Sequence, residues 1–175
     1  MIPPFNLQRW IADHQEEIKP PVCNQQVYEA GDFIIMVIGG PNARKDYHDD
    51  PGEELFYQLK GDMVLRIMEN GHPKDIAIRE GEIFLLPFHI HHSPQRFENT
   101  AGLVIERKRQ PGELDGFVWY CDECHAKLHH ETLSLANIVQ DLPPVFKRFW
   151  ETEDRRTCKK CGQVMPLQKN AGNAG

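Results

Sequence analysis

The 175-residue chain has no long hydrophobic run. Its longest apolar stretches, such as Phe33–Ile38 and Ile83–Pro87, fall far short of the roughly 20 residues a membrane-spanning helix needs. It has no basic excess either: Lys and Arg number 20 against 26 Asp and Glu, a net charge of −6 with His neutral. That balance excludes a nucleic-acid binder held by phosphate neutralisation, although a locally basic pocket stays compatible with it. The first residues, Met1, Ile2, Pro3, Pro4 and Phe5, lack the basic start and apolar run of a signal peptide, so a cytoplasmic protein is expected. No repeat or low-complexity tract precedes the short Lys169–Gly175 tail, which is expected to fray. Cysteine is scarce, and four of the five fall into two Cys-x-x-Cys pairs, Cys121/Cys124 and Cys158/Cys161, with Cys23 alone. In a reducing compartment such pairs indicate a metal knuckle or a redox motif rather than structural disulfides. With 40% hydrophobic and 26% charged residues, the chain is globular rather than disordered.

What is present divides along the chain. Leu7, Trp10, Ile11, His14 and Ile18 follow helical spacing, with Asn6 as N-cap and Pro20-Pro21 as a stop. From about residue 25 the pattern changes to short apolar runs: Val27–Tyr28, Phe33–Ile38, Leu55–Leu59, Met63–Met68, Ile76–Ile78, Ile83–Leu86 and Leu103–Glu106. Turn residues separate them at Gly39-Gly40-Pro41, Gly61-Asp62, Asn70-Gly71 and Glu80-Gly81, and Asn-Gly between two strand-like runs is a strong hairpin signal. Strands at this spacing predict a mainly β sandwich or small barrel. Gln110–Asp115 reads as a hinge, dividing residues 1–110 from an extension over 111–175. The extension is expected to hold a helix across Leu133–Val139 and a second past Pro143-Pro144 (Val145, Phe146, Phe149, Trp150).

Two segments carry most of the chemical information. One reads Gly40, five residues, Asp46, one, His48, five, Glu54, six, Gly61; the other reads Gly81, five, Pro87, one, His89, two, His92, three, Arg96. These spacings resemble the two sequence motifs of the cupin superfamily, whose fold is a jelly-roll β-barrel. Three positions depart: Asp46 stands where the first His is usual, His89 where Gly is, and Arg96 where Asn is. The ligand types left are His48, Glu54 and His92. Two imidazoles and one carboxylate form the set that holds non-haem Fe(II) on one face and leaves positions open. Asp46 would add a carboxylate, so a four-ligand site stays open. His89 and His91 share strand parity, whereas His92 points to the other face. On a regular strand Arg96, four residues on, shares the His92 side. Arg44 and Arg96 flank the ligands and suit an anionic substrate, since guanidinium pairs bidentately with carboxylate.

A closer resemblance covers nearly the whole chain. Pro20-Pro21-Val22, Gly39-Gly40-Pro41-Asn42, Asp46-Tyr47-His48-Asp49-Asp50-Pro51, Glu53-Glu54, Phe56-Tyr57-Gln58-Leu59, Phe84-Leu85-Leu86-Pro87, His92-Ser93-Pro94-Gln95-Arg96 and Leu103-Val104-Ile105-Glu106-Arg107 together resemble the family of 3-hydroxyanthranilate 3,4-dioxygenases, in the bacterial branch that carries distal Cys pairs. The resemblance implies extradiol-type cleavage of 3-hydroxyanthranilate by O2 to 2-amino-3-carboxymuconate 6-semialdehyde. That product closes to quinolinate, within tryptophan catabolism and NAD biosynthesis. It further implies that His48, Glu54 and His92 hold the catalytic iron, that Arg96 and Glu106 hold substrate, that Arg44 lies against oxygen and substrate, and that Asn24 lines the pocket. It favours a homodimer.

The two Cys-x-x-Cys pairs, 33 residues apart, predict a tetrathiolate site for zinc or rubredoxin-like iron. Four sulfurs close the coordination shell, so the expected role is structural, a staple for a segment with little core of its own. His125, His129 and His130 beside the first pair read as surface residues. Two rival functions share the scaffold. A different cupin oxygenase commonly uses three histidines, which Asp46 opposes, and a non-enzymatic cupin sensor or sugar-binding module needs no such ligand set.

Overall fold

The structure is a computed structural model that describes residues 3–19, 23–136 and 138–167. Pro20, Pro21 and the Lys169–Gly175 tail lie outside the described residues, but the helix expected to run past His14 and Ile18 to that proline pair ends earlier, at Asp13, where the backbone of His14 caps it. Helix α1 spans Leu7–Asp13, and its cap is the one expected: the Asn6 side chain accepts from the Arg9 N–H, 2.9 Å away. This satisfies one of the free amides of the first turn.

Among the described residues twelve strands follow: β1 (Asn24–Gln26), β2 (Phe33–Gly39), β3 (Asn42–Ala43), β4 (Asp46–Asp49), β5 (Glu54–Lys60), β6 (Met63–Glu69), β7 (His72–Ile78), β8 (Ile83–Leu86), β9 (His92–Arg96), β10 (Ala101–Arg107), β11 (Asp115–Tyr120) and β12 (Lys127–Leu133). They form two antiparallel sheets, one ordered β1-β2-β10-β5-β8 and the other β12-β11-β4-β9-β6-β7 with β3 against β9. This is the expected jelly-roll barrel. Between the sheets Met36, Phe56, Leu86 and Val104 meet Met63, Leu65, Ile67 and Ile78 in one buried cluster. The hairpin at Asn70-Gly71 forms as expected, both residues taking positive φ (51° and 79°), which lets a two-residue turn match the strand twist.

Two local expectations need correcting. The first short strand is Asn24–Gln26 rather than Val27–Tyr28. Asn24 pairs with Ile38 and Gln26 with Met36, and a bond from the Val27 N–H to Ile35 O closes the end of the ladder. At the other end, Leu133 finishes strand β12, and a single helix α2 runs over Ile138–Trp150 with Pro143 and Pro144 inside it. Each proline removes one helical hydrogen bond at a cost of about 3 kcal/mol. Against this, Leu142, Val145, Phe146, Phe149 and Trp150 are buried against Phe117, Trp119 and Met165, and each such side chain contributes about 1.5–3 kcal/mol. Burial wins. A short helix α3 (Glu153–Arg156) leads to the second Cys pair. The segment beyond Gln110 thus first adds β11 and β12 to the barrel sheet, through β11–β4 pairing, and then folds α2 back over β11.

Candidate metal centre and substrate pocket

Three strands bring the chelating groups together. His48 and His92 are register partners where β4 meets β9, and Glu54 opens β5 on the facing sheet. Oε1 of Glu54 lies 2.8 Å from Nε2 of His92 and 3.3 Å from Nδ1 of His48. His92 and Glu54 are buried, and the Glu54 oxygen makes no hydrogen bond in spite of these approaches. Nδ1 of His92 donates to the Ile90 carbonyl at 2.8 Å, and Nε2 of His48 donates to Oδ1 of Asp115 at 2.8 Å. Each ring therefore turns its other nitrogen toward Glu54. Two ring nitrogens and an orphaned carboxylate oxygen converging in the interior are what a divalent cation needs, and the donor set fits a ferrous ion. The ring of Phe117 stacks on His48 at 5.1 Å. Burial opposes charge on His48, but the bond to Asp115 and the nearby Glu54 carboxylate outweigh it and push its pKa up to about 10. Burial likewise opposes charge on Glu54, and the two imidazoles hold its carboxyl well below the usual range.

Asp46, the departure from the cupin pattern, does not join the three converging ligands. Nε of Arg44 donates to both its oxygens, at 3.1 and 3.3 Å, and Nη2 adds a further bond. Asp46 is the anchor of Arg44. The Arg44 guanidinium also sits 6.0 Å above the Phe146 ring of α2, a cation–π arrangement.

Arg96 shares the buried face of β9 with His92. It is 3% exposed, yet among the described residues no carboxylate pairs with it. Nη1 donates to Oε1 of Gln58 at 3.2 Å and Nε has no partner. Burial lowers its pKa to about 10, so at neutral pH it is a buried cation without an anion. Gln58 lies in one inward row with Gly102, Ile38 and Asn24. Asn24 closes that row, half-buried, on the edge strand.

Glu106 pairs in register with Glu54 across β10 and β5 and is 5% exposed. Burial raises its pKa well above the ordinary value, with Glu54 and Asp50 adding to the rise and Arg109 opposing it. Arg109 is the hub here: Nη1 donates to Glu106 at 2.7 Å, Nη2 to Asp50 at 2.8 Å, and Nε and Nη2 to Asp115 at 3.0 and 2.6 Å. Sequence reasoning passed over Asp50, Arg109 and Asp115. The last two bound a segment that reads as a charged hinge, and only their burial marks them as part of the site. His89 and His91 face away, both toward Asp49, and His91 also bonds the Tyr120 hydroxyl at 2.5 Å.

The four cysteines of the extension converge as expected. Sγ of Cys121 lies 3.6 Å from that of Cys161, and Cys124 lies 3.5 Å from Cys158. A metal–sulfur bond near 2.3 Å implies sulfur–sulfur edges of about 3.8 Å in a tetrahedron, so the spacing suits a tetrathiolate ion. Beside them His130 is exposed, whereas His125 and His129 are half-buried, His129 because it lies against Trp119 and Phe149.

A two-sheet barrel with two imidazoles and one carboxylate converging inside it defines a cupin-type metalloprotein. A family model for 3-hydroxyanthranilic acid dioxygenase matches residues 1–150. Relatives named 3-hydroxyanthranilate 3,4-dioxygenase include one from Burkholderia cenocepacia, 54% identical over 93% of this chain and 93% of its own. Another, from Ruegeria pomeroyi, is 55% identical over 93% of this chain and 91% of its own. Among solved structures, a cupin-2 domain protein from Shewanella frigidimarina is 15% identical over 60% of this chain and 94% of its own, with a TM-score of 0.44. The chain belongs to the 3-hydroxyanthranilic acid dioxygenase family and is an oxygenase.

Proposed function

We propose that the protein is a non-haem Fe(II) dioxygenase that opens the ring of 3-hydroxyanthranilate with O2, giving 2-amino-3-carboxymuconate 6-semialdehyde, the precursor of quinolinate. The carrying observation is the buried Arg96 guanidinium, without a carboxylate partner among the described residues, on the same buried face of β9 as His92 of a His48–Glu54–His92 cluster with an orphaned carboxylate oxygen. One group calls for a divalent cation and the other for a small anion, and a benzoate that also carries phenol and amine groups answers both.

Bound ferrous iron would supply O2 activation and a Lewis-acid contact for the phenol oxygen. The remaining work falls to the chain. Arg96 pairs with the substrate carboxylate and sets the ring's orientation. Glu106, held by Arg109, receives the phenolic proton or binds the ring substituents. Arg44, fixed by Asp46 and Phe146, places positive charge where negative charge develops on oxygen. Asn24 lines the far wall. The cysteine cluster is a structural iron or zinc site, and the division at residue 110 separates the part that carries the iron ligands from the part that carries the thiolates.

We also infer that two copies pair through the outer face of the five-stranded sheet. Ile35, Ile105, Leu55 and Leu85 form one outward row and Leu103, Tyr57 and Ile83 the next, whereas Val37 at the end of that second row is already fully buried. Of these, Ile83, Leu85 and Tyr57 are 65%, 52% and 38% exposed. An apolar face on a sheet is a surface that a second copy can cover about a twofold axis, so a second copy is the occupant that suits it. Leu85→Glu is expected to give a monomer by light scattering; an unchanged mass would remove this face from the interface.

The activity is tested with protein reconstituted anaerobically with Fe(II). It should consume 3-hydroxyanthranilate and O2 in equal amounts, and His48→Ala or Glu54→Ala should lose iron and activity together. No oxygen uptake by intact, iron-loaded protein would reject the reading.

A further inference from the structure

The two imidazoles of the metal cluster are backed differently. Behind His92 stands a neutral backbone carbonyl, that of Ile90, whereas behind His48 stands the Asp115 carboxylate, fully buried at 0% exposure. An imidazole can rotate to present either nitrogen. A carboxylate that accepts from Nε2 selects one orientation, leaves Nδ1 as the ligand and raises its basicity. Asp115 is itself gripped by the Arg109 fork, at 3.0 Å from Nε and 2.6 Å from Nη2. The same guanidinium reaches Asp50 and Glu106. His48–Asp50–Asp115 and Asp50–Glu54–Glu106 are each close enough to hold a cation, and Arg109 is that cation, so neither group is a second metal site.

We propose that Asp115 is a positioning residue that fixes the His48 ring with Nδ1 toward the iron site, and that Arg109 fixes Asp115 in turn. Asp115 opens β11, the strand that runs to Tyr120 immediately before Cys121. The segment that carries the thiolate cluster therefore also supplies the carboxylate behind a catalytic ligand. The other side of the His48 ring is covered by Phe117 from the same strand, so β11 sets both the tilt and the rotation of that ring.

The proposal rests on His48 being an iron ligand, and the experiment separates the two. Iron affinity is measured by chelator competition on the full-length protein, with the thiolate-bound metal counted as an internal control for folding of β11. Asp115→Asn should keep the thiolate metal at wild-type stoichiometry and bind Fe(II) about 10–100-fold more weakly. At saturating iron its KM for substrate should stay near wild type, because Arg96 is untouched. Arg109→Lys, which leaves the carboxylate but removes the fork, should weaken iron binding to a smaller extent. Wild-type iron affinity in folded Asp115→Asn overturns the proposal. If that variant does not fold, Arg109→Lys decides it, and unchanged affinity there overturns it equally. If His48→Ala leaves iron binding intact, the ligand assignment itself is wrong and the proposal falls with it.

Discussion

Gly102→Ala isolates the role of Arg96 without touching it. Gly102 lies on β10 between Ile38 and Gln58 in register. A Cβ built there would stand 2.6 Å from Nη1 of Arg96 and 2.7 Å from Oε1 of Gln58. Restoring an ordinary contact of 3.4 Å pushes the guanidinium back by about 0.8 Å. The displaced atoms are ends of flexible side chains, so the folding cost belongs at the low end of the roughly 1–3 kcal/mol typical of overpacking. The functional cost is larger, because a misplacement near 1 Å in a positioning group lowers catalysis on the order of 100-fold. Gly102→Ala should therefore keep its iron, melt within a few degrees of wild type, and lose about 100-fold in kcat/KM, mostly through KM for 3-hydroxyanthranilate. Steady-state oxygen uptake measures this. Placed in an Arg96→Ala background, Gly102→Ala should add little further loss, since both changes act through one group. Wild-type KM in folded Gly102→Ala, or fully additive losses in the double variant, would refute the reasoning.

Two further outcomes are expected. Cys121→Ser should release the thiolate metal and destabilise the fold by roughly 3–5 kcal/mol, a fall in Tm on the order of 10 °C, while the surviving folded protein keeps most of its turnover; unchanged melting would deny the cluster its structural role. Glu106→Gln should reverse the usual direction of a site mutation. Burial, with Glu54 and Asp50, raises the folded pKa of Glu106 above its ordinary 4.5, so ionising it destabilises the fold increasingly as pH rises from 4.5 through the folded value. In iron-free protein the Gln variant should thus melt above wild type at pH 8, with the gap closing toward pH 4.5, and it should be less active once loaded; a gap that does not change with pH would contradict the assignment.

The sequence made some strands legible and concealed others for one physical reason. β2, β5, β6, β7, β8 and β10 carry apolar runs because they build the core or the outer apolar face. β4 and β9 turn Asp46, His48, His92 and Arg96 inward, so the site's own chemistry erases the hydrophobic alternation by which strands are recognised. The motif spacing marked His48, Glu54 and His92 in spite of that, and the fold brings the three together, while parity separated His92 from His89 and His91. The Arg109–Asp115 pair gave no such signal, since a buried charge and a solvated one look alike in sequence. The paired prolines suggested two helices where burial of Phe146 and Phe149 holds one together.

Charge inside the barrel argues for the same substrate from another direction. Arg44 and Asp46 cancel. Arg109 serves Asp50, Asp115 and Glu106. Arg96 is the buried cation left without a carboxylate partner among the described residues, and a desolvated charge without a counter-ion is costly. A substrate carboxylate supplies that counter-ion where a neutral aminophenol would not. The decarboxylated analogue 2-aminophenol should therefore bind far more weakly to iron-loaded protein than 3-hydroxyanthranilate, and most of that preference should vanish in Arg96→Ala; equal binding of the two by wild type would show that the Arg96 charge is neutralised by something other than the substrate.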